Sequence, residues 1–243
     1  MKRALILFFT ICFISQSAEA QLWKMNKYEL SAGFGPTFFF GDVGGFSNGE
    51  NSLGFKDLTS LQTRANADLS FKYRISQDIS ARLSLSGGFL KATDRRGSNN
   101  WRHFNAAITY FSPTLLGEYY FFKNRLENNY RFHRTGEIRG AITFFRSLDM
   151  YAFTGIGGML YSVKGNDELE NNPRGFNSGG FTAVIPIGLG AKYIYSPSVD
   201  FGVEISGRYA LSDGIDGYTS QFSKHNDVYY SLNFVVIYKF NTK

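Results

Sequence analysis

The sequence is poor in cysteine, proline and long apolar runs, and each shortage excludes a class of protein. Its one cysteine, Cys12, lies in an N-terminal apolar stretch, so the rest of the chain has no thiol for a disulfide, a metal or a nucleophile. The mean hydropathy of −0.20, without a later apolar run long enough to span a bilayer, argues against transmembrane helices. Two classes remain, a soluble β-protein and a membrane β-barrel, because only every second residue of a barrel strand must be apolar.

Aromatic residues and glycines are abundant. Aromatics make up 17% of the chain, and there are 26 glycines. Such a combination is typical of proteins with many strands and with rings of aromatic side chains at an interface.

The first twenty residues have the pattern of a secretory signal. A basic start at Met1-Lys2-Arg3 precedes an apolar stretch over 4–14, and Ala18-Glu19-Ala20 fits a cleavage site. We therefore predict a signal peptide over 1–20 and a mature chain over 21–243. The alternative is an anchoring helix that is kept. The residues before Cys12 do not indicate a lipid anchor.

A period of two dominates the mature chain. In ANADLSFKYRISQDISARLSLSGGFL at 65–90, apolar and polar side chains alternate on both sides of a short turn. The same pattern predicts about eight strands and no helix, hence an all-β, antiparallel up-and-down barrel. The predicted strands lie near 27–40, in two halves of 65–90, and near 106–122, 151–163, 183–195, 201–211 and 228–240.

Short and long connections alternate. Residues 76–78 and 196–198 form tight turns, whereas 41–61, 91–105, 164–181 and 212–227 are long and polar. Outer-membrane barrels have this arrangement, with turns in the periplasm and loops outside. A long basic insert at about 123–149 is the exception, because it falls on the turn side.

The two faces of the strands decide what surrounds the barrel. Eight strands enclose only enough room for side chains, and the apolar face offers more Phe, Tyr and Leu than that room accepts. We therefore predict that the apolar face contacts outer-membrane lipid and that charged residues pair in the interior. A soluble sandwich is the alternative. The predicted interior charges are Asp68, Lys72, Arg74, Arg82, Glu118, Glu204 and Arg208.

Several stretches resemble the PorG-like family of outer-membrane barrels, and together they cover nearly the whole mature chain. The final Tyr238-Lys239-Phe240 also resembles the terminal signal read by the barrel-assembly machinery. The stretches are YELSAGFGP at 28–36, FGDVGG at 40–45, IPIGLGAKY at 185–193, GVEISGRY at 202–209, SDGIDGY at 212–218 and NDVYY at 226–230.

The resemblance implies location in the cell outer membrane and an accessory role in a type IX secretion apparatus, with a periplasmic ring of lipoprotein and other subunits as partner. If this holds, the basic insert is the candidate docking surface; alternatively, it only extends the adjacent strands into the periplasm. Its arginines are Arg125, Arg131, Arg134, Arg139 and Arg146.

The sequence predicts no enzyme, metal or cofactor. His103, His133 and His225 are too far apart for a metal-ligand spacing. Ser223 and His225, with Asp213 or Asp227, form the one grouping suited to acyl transfer, and we expect solvated loop residues there. Export excludes nucleic acid as a partner.

The sequence raises two further functions, lipid binding and conduction. The basic stretch with Lys91, Arg95, Arg96 and Arg102 could hold lipopolysaccharide phosphates on the outer side, or be merely solvated. An open pore is not expected, because eight strands leave a filled interior.

Overall fold

A computed structural model describes residues 26–44, 62–96, 100–123, 147–173, 176–219 and 226–240 of the chain. Its long alternating segments form eight antiparallel strands, each paired with its neighbours in sequence order, and β1 closes the barrel against β8. The strands are β1 Tyr28–Phe40, β2 Arg64–Arg74, β3 Ile79–Thr93, β4 Asn105–Phe122, β5 Leu148–Gly165, β6 Gly179–Ile194, β7 Val199–Ala210 and β8 Val228–Phe240.

The predicted fold, an eight-stranded up-and-down barrel, is confirmed. Both predicted tight turns are present, closed by hydrogen bonds from the Ile75 amide to the Ile79 carbonyl and from the Ser196 amide to the Val199 carbonyl. A short turn of this kind fixes the register of the two strands that it joins.

The strand limits differ from those predicted chiefly in β5 and β6. Strand β5 begins three residues earlier and ends two residues later than predicted, and β6 begins four residues earlier, towards the long loop. Strands β3 to β6 have 15 to 18 residues, whereas β1, β2, β7 and β8 have 11 to 13. The extra length lies at the loop end, since β3 continues past its last pair with β2 at Gly88, and β6 begins before its first pair with β7 at Val184.

Short helical turns, which the sequence did not predict, occupy parts of the long connections. A four-residue helix, α1, spans Asp167–Glu170, and 3₁₀ turns span Asp94–Arg96 and Asn100–Arg102. None of the helices in these described segments is long and apolar enough to cross a membrane.

The outer surface is apolar from strand to strand. Large side chains that are half exposed or more include Leu83, Ile156, Ile187 and Phe234. At the turn end the same face carries a ring of aromatics, and the strands are long enough to cross a bilayer. An apolar outer belt on a closed barrel, with all strand edges paired, is the arrangement of an outer-membrane barrel. The ring comprises Tyr28, Tyr73, Tyr119, Phe121, Tyr195, Phe201, Tyr238 and Phe240.

Two predicted segments fall outside the described residues. They are the signal peptide over 1–20 and most of the basic insert, of which residues 124–146 are not described. Both stay predictions.

Candidate functional site

The interior next to the short turns, and as far as the middle of the barrel, is lined by charged side chains. The seven charges predicted for the interior all face it, and five more join them from the same strand faces. Six carboxylates and six cations give no net charge at neutral pH. This set, the charge network, comprises Glu29, Asp68, Lys72, Arg74, Arg82, Glu118, Asp149, Lys192, Asp200, Glu204, Arg208 and Lys239.

Glu118 on β4 links cations from β2 and β3. Its carboxylate lies 2.8 Å from the Lys72 ammonium and 3.0 Å from the Arg82 guanidinium. Arg82 reaches across the barrel to Glu204 on β7 at 2.6 Å. Because all of these groups are buried, each charge depends on its partners for the stabilisation that water would otherwise give.

Glu29 on β1 is a second centre, closer to the turn end. Its carboxylate lies 2.9 Å from Arg74, 3.4 Å from Lys72 and 3.5 Å from Lys192. Lys192 is also 3.7 Å from Asp200, which pairs with Lys239 at 2.7 Å. The ion pairs therefore tie non-adjacent strands together across the interior.

Tyrosines fill the space between these charges. The Tyr151 hydroxyl donates to Glu204 at 2.5 Å, and Tyr120 accepts from the Lys72 ammonium at 3.0 Å. Gly190 on β6 makes room for the Tyr151 ring, since a Cβ there would lie 2.3 Å from a ring carbon. Beside the network, at the turn end, a cavity of about 20 Å³ has room for about one water molecule.

Arg208 departs from the prediction that each interior cation pairs with a carboxylate. Among the described residues no carboxylate oxygen lies within 4.0 Å of it; it donates instead to the Ser86 hydroxyl at 2.5 Å and to Tyr229 at 3.4 Å. Asp68 accepts from the Ser84 hydroxyl at 2.5 Å. Hydroxyl groups thus take the place of direct pairing in the middle of the barrel.

The interior next to the long loops is apolar, so the expectation of a polar interior is wrong for this half. Inward-facing residues of β1 and of β3 to β8 pack with loop residues there. This loop-end plug comprises Phe39, Val43, Leu90, Ala92, Phe104, Ala106, Ile108, Tyr110, Met159, Tyr161, Val163, Leu169, Val184, Ala210, Ile215, Tyr218 and Tyr229.

Buried aspartates hold the loops over the plug. Asp216 accepts from the backbone amides of Val43 at 2.8 Å and Tyr218 at 3.0 Å, and Asp227 accepts from the Ile215 amide at 2.8 Å. Burial raises the pKa of the Asp216 carboxyl to about 7, against the two amide bonds, which lower it. Burial, and then the charge of Asp216, raises the pKa of Asp227 well above its ordinary value.

Arg102 belongs to the same loop assembly. Its guanidinium donates to both Asp94 oxygens at 3.0 and 3.1 Å and lies over the rings of Phe104 and Tyr218. Asp94 in turn accepts from the Gly44 amide. Arg102 therefore fixes loops together and is neither solvated nor free to bind phosphates, so neither of the two alternatives for the basic stretch applies to it.

The remaining predicted site residues are only partly described. Ser223, His225 and His133 lie outside the described residues, as do Arg125, Arg131, Arg134, Arg139 and Arg146. Asp213 and Asp227 are described, within the loop over the plug. In the described part of the chain, no three His, Cys, Asp or Glu side chains are grouped to hold a metal ion.

No family model and no curated protein matches the chain. Among solved structures it is similar to Neisserial surface protein A (14% identity, 88% of this chain, 97% of that one, TM-score 0.44). It is also similar to the N-terminal β-barrel domain of Pseudomonas aeruginosa OprF (12%, 88%, 98%, 0.45) and to OprG from the same organism (12%, 89%, 97%, 0.44). Similarity at this level carries no functional information, and membership of the PorG-like family stays a prediction.

Proposed function

We propose that this protein is a non-conducting, non-enzymatic outer-membrane barrel that serves as a membrane-embedded scaffold for periplasmic partner proteins. The observation that carries the proposal is the filled interior. Charge pairs occupy its turn half and the apolar plug occupies its loop half, so neither half offers a route for solutes. A barrel that neither conducts nor catalyses acts through its exposed surfaces.

The periplasmic surface is the one we favour for docking. The turn side of an outer-membrane barrel faces the periplasm, and here it carries the connection between β4 and β5, which spans residues 123–147. Five arginines in that connection, Arg125, Arg131, Arg134, Arg139 and Arg146, would suit an acidic partner surface. By resemblance to PorG-like barrels, the partner is a ring subunit of a type IX secretion apparatus.

Deleting residues 126–147 tests the docking role. We expect a barrel that still inserts, seen as a heat-dependent shift in gel mobility, but that no longer co-purifies with a periplasmic ring partner. Deleting 48–59 from the first long connection, on the opposite side, is a shorter control deletion and should leave co-purification intact. Undiminished capture by the 126–147 deletion would refute docking through this insert.

Conduction is tested separately, by reconstituting the full chain in a planar bilayer. We expect no steady single-channel currents, because the interior is packed. Sustained open channels would contradict the scaffold proposal independently of any partner.

A further inference from the structure

The outer wall of the barrel carries a row of lysines near its loop end. Lys91 on β3 and Lys164 on β5 face outwards and flank the same residue, Ala107 on β4, in the strand register. Neighbouring strands are about 4.8 Å apart, so the two lysine Cα atoms lie about 10 Å apart at the same level of the wall. Two flexible ammonium groups at that separation can reach one ligand.

Two arginines lie close to this row at the rim. Arg64 begins β2, next to β3, at an inward-facing register position opposite Thr37 of β1, and its guanidinium turns back to donate to the Thr63 carbonyl at 2.6 Å. Arg95 is exposed in the 3₁₀ turn just beyond β3. The positive charges of Arg64 and Arg95 both act on the Lys91 ammonium. The four residues Arg64, Lys91, Arg95 and Lys164 form what we call the rim cluster.

The rim cluster has no anionic partner among the described residues. No carboxylate oxygen there lies within 4.0 Å of any of its four cationic groups, whereas Arg102 nearby is paired with Asp94. The acidic segment that follows Lys164 in the sequence is α1. There the carboxylates of Glu168 and Glu170 already accept hydrogen bonds from Asn166 and Gly165. Four cations this close together repel one another, and a bound anion would relieve that repulsion.

The position of the cluster relative to lipid indicates which anion. From Ile79 to Lys91 there are twelve residue steps, or about 41 Å along the strand and about 31 Å along the barrel axis at a tilt of about 40°. The apolar band of such barrels is about 25 Å tall, so Lys91 lies just beyond it, at headgroup level. The outward-facing layer below the row holds Phe89, Thr109 and Ser162. The layer after that holds the exposed apolar side chains of Phe111, Leu160 and Phe181.

We propose that the rim cluster binds the phosphate groups of an outer-leaflet glycolipid of the lipid A type. Lys91, Lys164 and the two arginines hold the phosphates, since ammonium and guanidinium groups are the ordinary protein ligands of phosphate. The apolar side chains below contact the acyl chains. This function goes beyond scaffolding, because it uses the outer side of the barrel and requires no periplasmic partner.

The test compares phosphorylated with dephosphorylated glycolipid. The full chain in non-ionic detergent is titrated with diphosphoryl lipid A and with dephosphorylated lipid A, and affinity is measured by thermophoresis. We expect the phosphorylated lipid to bind at least about tenfold more tightly. The double variant Lys91→Gln/Lys164→Gln should lose this preference while keeping the heat-dependent gel shift of a folded barrel.

A charge-matched control is available at the other end. Lys27→Gln/Lys123→Gln removes two positive charges from the turn side and should leave the preference unchanged. Equal affinity for both lipids, or equal loss in both double variants, would overturn the proposal. Inorganic phosphate is the third arm: if it binds as tightly as the phosphorylated lipid, the lipid assignment is wrong.

Discussion

The two halves of the barrel interior are filled by opposite means within one continuous wall. The charge network occupies the turn half, where buried Glu29 and Glu118 each pair with two or three cations. The loop-end plug occupies the other half with side chains such as Phe39, Ile108 and Met159. The same narrow cylinder is therefore closed once by electrostatic pairing and once by apolar packing.

The difference teaches what each half requires of its residues. A buried ion pair stabilises only while every member keeps its partner, so the turn half depends on the identity of single charges. Apolar packing depends on volume and shape and accepts similar residues at modest cost. The halves should therefore respond differently to the same kind of substitution.

The largest effect is expected from moving a charge into the plug. Met159→Glu places a carboxyl in a fully buried apolar site. Holding it protonated at pH 7, against an ordinary pKa of about 4.3, costs about 4 kcal/mol, and the lost methionine packing adds to that. We expect little or no folded barrel in a heat-modifiability gel. Met159→Leu is the control and should fold, at a cost below about 1.5 kcal/mol. Normal folding of Met159→Glu would show that the plug is not sealed from water.

The next effect is expected from removing a charge in the turn half. Glu118→Ala leaves Lys72 and Arg82 each with one remaining carboxylate, Glu29 and Glu204. We expect a loss of about 3 kcal/mol, the low end of the range for broken buried pairs, because neither cation is left alone. Urea unfolding in micelles measures it.

The exposed carboxylate of Glu168 provides the control for this substitution. Glu168→Ala should change the unfolding free energy by less than about 1 kcal/mol. If both variants lose the same amount, the charge network contributes no more than a surface charge does.

The smallest effect is expected from pH, and only at the loop end. The raised pKa of Asp216, about 7, means that the closed loop holds a proton that the open loop, with an ordinary carboxyl near pKa 3.9, has released. Closing is thus favoured at low pH, weakens as pH rises from about 4 to about 7, and levels off above that. Between pH 6 and 8 this one group should lower the protection of the Val43 and Tyr218 amides about tenfold, after correction for intrinsic exchange.

Hydrogen exchange measured along the whole chain sharpens this comparison. The same site also contains Asp227, Asp213 and Asp42. Their negative charges disfavour an ionised Asp216, so they too make loop closure stronger at low pH. Amides of β7 and β8 at the turn end should show no such pH dependence. Amide exchange protection at Val43 that rises with pH would contradict a protonated Asp216 in the closed loop.

The sequence predicted the wall well and the plug poorly, for a physical reason. Where the interior is charged, the two faces of a strand differ, and alternation reveals both the strand and its inward face, as at Lys72 and Arg82. In the plug the alternation is present but its polarity is reversed: Tyr161 and Val163 on β5 face inwards, whereas Ser162 and Lys164 face outwards, so the pattern indicated a strand but assigned its apolar face to lipid. Ile215 and Tyr218 lie in a polar stretch that predicted only a solvated loop. Their burial depends on the closure of the barrel, which no local pattern encodes.

The unequal strand lengths make the loop end of the barrel asymmetric. At the loop end β3 extends five residues past its last pair with β2, and β6 starts five residues before its first pair with β7. At about 3.4 Å per residue, one flank therefore stands about 17 Å taller along the strands than the other. A molecule that approaches from outside the cell therefore meets a high wall on one side of the barrel and a low wall on the other. Because the two sides differ in height, adjacent molecules in the same membrane can be aligned in one defined rotation about the membrane normal.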